Sequence, residues 1–286
     1  MFLDGHIHIH DGKQDVGDFK DRLKKAGVDG GALISIAPES FSNIAKQHTP
    51  KERLCNLLYW SDSNPDFYPV FWIDPLEKTA LDQVQDAVKQ GARAFKVICN
   101  RFFPYDERPM EVFRKIAETG RPIFFHSGIL WDGRNSSKFN RPGNFESLLE
   151  INGLKFSLAH ISWPWYDECI AVYGKFLNAY SLNPDISVEM FIDLTPGTPT
   201  IYRNDALTKI FTIGYDIENN VFFGSDCSAN DYNYKWTLEW VDRDNKIYDS
   251  IALKDETRKK VYGETLKRFL GITKTKVEKK SLKTAE

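Results

Sequence analysis

The segment Asp4-Gly-His6-Ile-His8-Ile-His10 places three of the chain's six histidines within five residues. An apolar start followed by alternation up to Ile9 predicts a strand over residues 2–9. Side chains on a strand repeat with period two, so His6 and His8 share a face, with Cα atoms roughly 6.6–6.8 Å apart. Two imidazoles at that spacing can converge on one metal ion. Asp4 has the same parity and is placed to orient them, while Ile7 and Ile9 face an apolar layer. His10 falls on the same side, but Asp11-Gly12 ends the strand there, which leaves it lining a pocket or solvated.

The remaining residues suited to chemistry sit in or at the ends of short apolar runs. His126 follows Ile-Phe-Phe, His160 follows Phe-Ser-Leu-Ala, Asp226 follows Val-Phe-Phe-Gly-Ser, and Lys96 lies within Ala-Phe-Lys-Val-Ile. Each alone has an ordinary role. A strand-end histidine can be satisfied by backbone groups, an aspartate can cap a helix, and a lysine can extend its stem to water. Together they form one site only if a scaffold brings the ends of these runs to a common rim.

The pattern of the chain predicts such a scaffold. Strands are expected at 30–38, 67–74, 92–99, 122–126, 154–160, 186–194 and 221–225. Helices are expected at 18–26, 54–60, 81–90, 110–118, 145–151, 167–180, 207–215 and 255–270. Near-continuous apolar strands alternating with helices indicate a parallel sheet covered on both faces. Eight such repeats indicate an α/β fold of the (β/α)₈ TIM-barrel type, with a metal site at the C-terminal end of the strands. A doubly wound open sheet is the alternative. Residues 1–272 read as a single barrel, and 273–286 as a solvated Lys-rich tail. Gly27, Gly30 and Gly31 precede a strand instead of following one, so they read as helix-capping residues and not as a nucleotide loop.

At 286 residues with 42% hydrophobic content, the chain can bury a large core. Its formal net charge of −2 gives no electrostatic reason to expect nucleic acid or an anionic membrane as partner. Cys55, Cys99, Cys169 and Cys227 are widely spaced and read as free thiols in a reducing compartment. There is no charged n-region with an apolar h-region, and no apolar run long enough for a membrane span. The proposed ligand strand begins at residue 2, so signal-peptide cleavage would remove it; a cytoplasmic location is expected. The expected partner is a small-molecule substrate, and a homodimer is compatible with the sequence.

The set Asp4-x-His6-x-His8, His126, His160 and Gly224-Ser225-Asp226 resembles the metal-dependent amidohydrolase superfamily. More narrowly, it is similar to the amidohydrolase-2 group, which includes aminocarboxymuconate-semialdehyde-type decarboxylases and dicarboxylate lactonases. Phe71-Trp-Ile-Asp-Pro75, Leu154-Lys-Phe-Ser-Leu-Ala-His160 and the stretch from Lys254 to Ile272 extend the resemblance over nearly the whole chain. Two departures stand out. Ile161-Ser162-Trp163 replaces the His-x-Gly that many members carry after strand six. Glu264-Thr265 replaces an Asn-Ala pair near the end, where nothing catalytic is at stake.

The resemblance implies metal-assisted chemistry, and the residue types agree with it. His6, His8, His126 and Asp226 would form an N₃O donor set for a divalent ion, with zinc the default and manganese, iron or cobalt also compatible. Zinc can lower the pKa of bound water to about 7. Asp226 would also accept the water's proton, and His160 would polarise a carbonyl or shuttle a proton. In some superfamily members a strand-four lysine is carboxylated and bridges two metals. In this group one metal is usual and the lysine can bind a substrate carboxylate, so Lys96 is assigned one ion, or two if carboxylated. A glutamate at this place would have pointed to a TatD-like nuclease.

The loops after these strands hold Arg101, Arg134 and Arg141, suited to a carboxylated substrate, and Trp131, Trp163 and Trp165, suited to a ring or apolar body. His48, amid polar residues, reads as a surface position. The leading expectation is hydrolysis of an amide, lactone or ester bond of a small, carboxylated molecule. The alternative is non-oxidative decarboxylation of a carboxylated ring or semialdehyde. A non-catalytic metal-binding barrel is the third reading, disfavoured because His160 and Lys96 are left over beside the donor set.

Overall fold

A computed structural model describes residues 1–41 and 46–272. The Lys-rich tail from Thr273 lies outside the described residues. Nine parallel strands run in the order β8-β7-β6-β5-β4-β3-β2-β1-β9. They are β1 (Leu3–His8), β2 (Gly30–Ile34), β3 (Phe67–Trp72), β4 (Ala94–Val97), β5 (Ile123–Phe125), β6 (Lys155–Leu158), β7 (Glu189–Asp193), β8 (Val221–Phe222) and β9 (Cys227–Ser228). Sequential neighbours pair throughout, without the order reversal of a doubly wound sheet. The strand residues are almost all buried because helices cover one side and the sheet curls over the other.

β8 and β9 are two pieces of one segment. β8 pairs with β7, and β9 pairs with β1. Between them the Gly5 N–H donates to the Phe223 carbonyl at 2.9 Å, and the Asp226 N–H donates to the His6 carbonyl at 3.0 Å. One stretch of chain thus holds both ends of the strand order, giving a curled α/β sheet consistent with a (β/α)₈ barrel. The expected strand at 221–225 is broken at Gly224-Ser225-Asp226, where Asp226 adopts a left-handed φ of 60°.

The helices are α1 (Val16–Lys25), α2 (Pro50–Ser61), α3 (Ala80–Lys89), α4 (Glu107–Glu118), α5 (Tyr166–Leu182), α6 (Thr200–Thr212), α7 (Tyr234–Ser250), α8 (Asp255–Lys259) and α9 (Thr265–Phe269). Local signals start several of them. Asp15 caps α1, Asn233 caps α7, and Thr49 with Glu52 forms a reciprocal capping box on α2. Between β5 and β6 the expected helix at 145–151 is instead a 3₁₀ stretch, Pro142–Glu150, preceded by another at Ser137–Asn140. The expected final helix at 255–270 is split by a π turn at Lys260–Glu264.

Gly27 ends α1 with a φ of 70°, as a capping glycine does. Gly30 and Gly31 do not cap. They lie inside β2, where a Cβ on Gly31 would stand 2.0 Å from the Asp4 carbonyl oxygen. All four cysteines are free, Cys55 exposed and the other three buried. Among the described residues no helix is long and apolar enough to cross a membrane.

Inside the curled sheet, aromatic side chains form a platform. Phe124 of β5 meets His6 edge-on at 6.5 Å between ring centroids and Phe269 of α9 edge-on at 4.8 Å. Phe191 and Phe222 also pack on Phe269. This fully buried stack supports the polar cluster built around His6.

Candidate metal centre

His8 is the last residue of β1, Asp193 the last of β7, and His126 the first residue after β5. Lys96 is the third residue of β4, His160 lies just beyond β6, and Asp226 stands between β8 and β9. Parallel strands ending at one rim bring five of them to a common cavity, with Asp193 fully buried behind His6. One donor atom each from His6, His8 and Asp226 lies within 4.8 Å of the others. His8 Nε2 is 3.4 Å and His6 Nε2 3.8 Å from Asp226 Oδ1. Lys96 Nζ lies 3.3 Å from His6 Nε2.

The hydrogen bonds of the rings set which nitrogen faces the cluster. His6 Nδ1–H donates to Asp193 Oδ2 at 2.6 Å, leaving the Nε2 lone pair toward Asp226 and Lys96. Asp193 is fully buried and is held in turn by the Thr195 backbone N–H and hydroxyl. His160 Nδ1–H donates to the Pro196 carbonyl at 3.2 Å, leaving Nε2 free. His126 Nε2–H donates to the Ile129 carbonyl at 3.2 Å, leaving Nδ1 free. His126 is outside the three-donor group, with its ring centroid 4.9 Å from that of His160.

Burial favours the neutral imidazoles, and neighbouring groups favour the ionised Asp226 carboxylate, the forms that bind metal. It lowers the pKa of His6 to about 4, with the Lys96 charge adding to the effect. Burial likewise pushes His126 well below its usual range, with His160 and Lys96 contributing, and it lowers His160. Burial brings the Lys96 ammonium down to about 8, against the pull of Asp193 and Asp226. For Asp226, burial acts upward, but the His8 bond and the neighbouring imidazoles outweigh it and hold the carboxyl well below its usual range.

A left-handed backbone marks two of the six positions, His160 and Asp226. His160 has a φ of 61°, and Ile161 and Ser162 follow it in the same left-handed region at 50° and 57°. Non-glycine residues held there cost free energy and persist only where their surroundings fix them. The turn replacing the expected His-x-Gly therefore reaches the left-handed shape without glycine. Gly224 is required for space: a Cβ there would stand 2.4 Å from Thr195 Oγ1 and 2.7 Å from His6 Cβ.

Several residues differ from expectation. Asp4 does not touch an imidazole. Its Oδ1 accepts from the His6 and Ser225 backbone N–H groups, and its Oδ2 accepts from the Tyr232 hydroxyl at 2.8 Å. It ties β1 to the loop that bears Asp226, and burial raises its carboxyl to about 6. His10 stacks on His8 at 6.0 Å between ring centroids. His48 is largely covered, its Nε2 3.1 Å from Asp11 Oδ1.

The cavity over the cluster has a volume of about 500 Å³ and reaches Trp72, Trp131, Trp163 and Phe41. None of the three expected arginines lines it. Arg101 is paired with Asp74, and Arg141 with Glu168 over the Trp165 ring. Asp193, Tyr232 and Phe41 were not singled out from sequence. Asp193 carries the same signal as the others, a carboxylate closing an apolar strand, and could have been found by it.

Solved structures share this architecture. A probable 2-pyrone-4,6-dicarboxylic acid hydrolase from Acinetobacter baumannii, with citric acid bound, is 12% identical with a TM-score of 0.58, over 94% of this chain and 99% of that one. An amidohydrolase from Burkholderia multivorans with bound zinc is 12% identical with a TM-score of 0.64, over 95% and 99% of the two chains. The 2,6-dihydroxybenzoate decarboxylase from Rhizobium is 13% identical with a TM-score of 0.63, over 95% and 98%. At these identities the likeness is one of fold. No curated protein matches the sequence. The family-level match extends over residues 4–272, from Asp4 of β1 past α9, and the protein belongs to the Amidohydro_2 family of amidohydrolases.

Proposed function

We propose that this protein is a metal-dependent hydrolase that cleaves an amide, lactone or ester bond of a small molecule. The observation that supports this best is the grouping of His6, His8 and Asp226 donor atoms within 4.8 Å beside a cavity. Two neutral imidazoles and a carboxylate are the donor chemistry of a borderline divalent ion, zinc first, with manganese, iron or cobalt as alternatives. His126, through its free Nδ1, is the proposed fourth donor. When bound, the ion supplies a Lewis acid and acidifies a water to a pKa near about 7.

The chain's own groups do the rest. Asp226 takes the proton from the attacking water. His160, with Nε2 free, hydrogen-bonds the substrate carbonyl or returns the proton to the leaving group. Lys96 pairs with a substrate carboxylate, in a site with one ion; carboxylation of Lys96 would make it a two-ion site.

Non-oxidative decarboxylation is the second reading, favoured by one observation: the cavity wall is rich in indole and phenyl surface, suited to an aromatic acid. Screening metal-loaded protein for acid release against carbon dioxide release, over lactones, esters, amides and aromatic acids, separates the two. Hydrolysis predicts acid release without gas. Carbon dioxide release alone assigns the decarboxylase, and turnover that survives complete metal removal contradicts both.

A further inference from the structure

We infer that the cavity accepts one carboxylate per ligand, at the Lys96–histidine end, and that the rest of the ligand is an uncharged ring or apolar body. The inference rests on the proposed metal-dependent enzyme and narrows its substrate class to monocarboxylates over dicarboxylates.

The charge inventory of the cavity leads to this. Among the described residues, Lys96 is the one lysine or arginine that lines it, while Asp11, Asp132 and Asp226 are carboxylates. Residues 42–45, which follow the lining residue Phe41, are Ser-Asn-Ile-Ala and add no charge. Of the arginines on the neighbouring loops, Arg101 pairs with Asp74, Arg141 pairs with Glu168, and the exposed Arg134 is not among the residues lining the cavity. Any ion held by His6, His8 and Asp226 lies at the same end as Lys96, since Lys96 Nζ is 3.3 Å from His6 Nε2.

A second carboxylate would therefore meet one of two surfaces. Along the wall it would face Phe41, Trp72, Ile98 and Leu130, where a carboxylate has no cationic partner and is disfavoured. At the mouth it would face Asp11 and Asp132. Asp132 Oδ1 already accepts from the Arg134 N–H and the Ser136 hydroxyl, and Asp11 is placed against His48. An uncharged aromatic body meets neither obstacle and gains contact with the same indole surface. A cavity of about 500 Å³ holds a ligand of this size.

The test compares two acids that differ only in the second carboxylate, benzoate and isophthalate, titrated calorimetrically into zinc-loaded full-length protein whose zinc content is measured. Benzoate is expected to bind more tightly by about tenfold or more, the scale of one unpaired charged group. The variant Leu130→Arg, which sets a cation into the apolar wall, should narrow that ratio by about tenfold while zinc content is unchanged. Zinc uptake with isophthalate bound as tightly as benzoate, or with neither acid bound, overturns this inference alone. A ratio that Leu130→Arg leaves unchanged, in zinc-loaded protein, also overturns it. A wild-type protein that takes up no zinc overturns the metal-dependent reading beneath it.

Discussion

His6 Nδ1 and Asp193 Oδ2 lie 2.6 Å apart, joining β1 to β7 at the floor of the cavity. The pair fixes the imidazole tautomer, aims Nε2 at Asp226, and makes that nitrogen a stronger donor. Asp193→Asn should keep the fold and weaken zinc affinity by about 10–100-fold, the range for a carboxylate behind a metal-bound histidine. Competition titration against a chromophoric chelator measures it. An unchanged zinc affinity would show that His6 is not a ligand or does not need this support.

Asp226 and His160 separate binding from chemistry. Asp226→Asn keeps the shape but removes the base, and should lower kcat by about 10²–10⁴-fold with metal affinity weakened but not abolished. His160→Asn should retain the metal and lose turnover comparably. Metal content and kcat on the same preparations decide the matter. If His160→Asn empties the site, His160 is itself a ligand.

Lys96→Ala distinguishes one ion from two. In a one-ion site the variant keeps its metal and shows a raised KM for a carboxylated substrate. Loss of one of two metals, with bicarbonate dependence in the parent, would establish the carboxylated form.

Asp4 predicts a pH dependence with a definite sign. Its carboxyl is raised from 3.8 to about 6 by burial. A raised folded-state pKa means that its stabilising contribution is complete below about pH 3.8 and is lost as pH rises through about 6. The stability of metal-free wild type relative to Asp4→Asn should therefore fall by about 3 kcal/mol across that window. Urea denaturation of both proteins at several pH values checks it. Titration of His6 and the other histidines is common to both proteins and cancels to first order. A difference that grows with pH would contradict the assignment.

Arg203 and Asp244 form a fully buried bidentate pair between α6 and α7, at 2.9 and 2.6 Å. Asp244→Ala leaves a guanidinium buried without its partner and should cost about 3–5 kcal/mol. A loss below about 1 kcal/mol in chemical denaturation would show that the guanidinium finds water or another acceptor.

Much of this arrangement was legible because strands announce themselves by composition and end in polar residues. His6, His8, Lys96, His126, His160 and Asp226 were readable for that reason, and the structure gathers them about one cavity. What escaped depends on tertiary geometry. Asp4 shares parity with His6 but spends its oxygens on backbone N–H groups and Tyr232, a partner 228 residues away. The arginines were read by type alone, and only the positions of Asp74 and Glu168 show that Arg101 and Arg141 turn aside. The helix expected at 145–151 forms instead as a 3₁₀ stretch from Pro142 to Glu150, a difference that the apolar periodicity read from sequence does not distinguish. α7 was not anticipated.

The central claim, that His6, His8 and Asp226 with His126 hold a divalent ion, is tested most directly by elemental analysis of the purified protein and of the His6→Ala/His8→Ala double variant. About one equivalent of zinc, manganese, iron or cobalt per chain is expected in the wild type, with near-complete loss in the double variant. A wild-type protein that holds no metal and takes up neither zinc nor manganese after chelation would contradict the account.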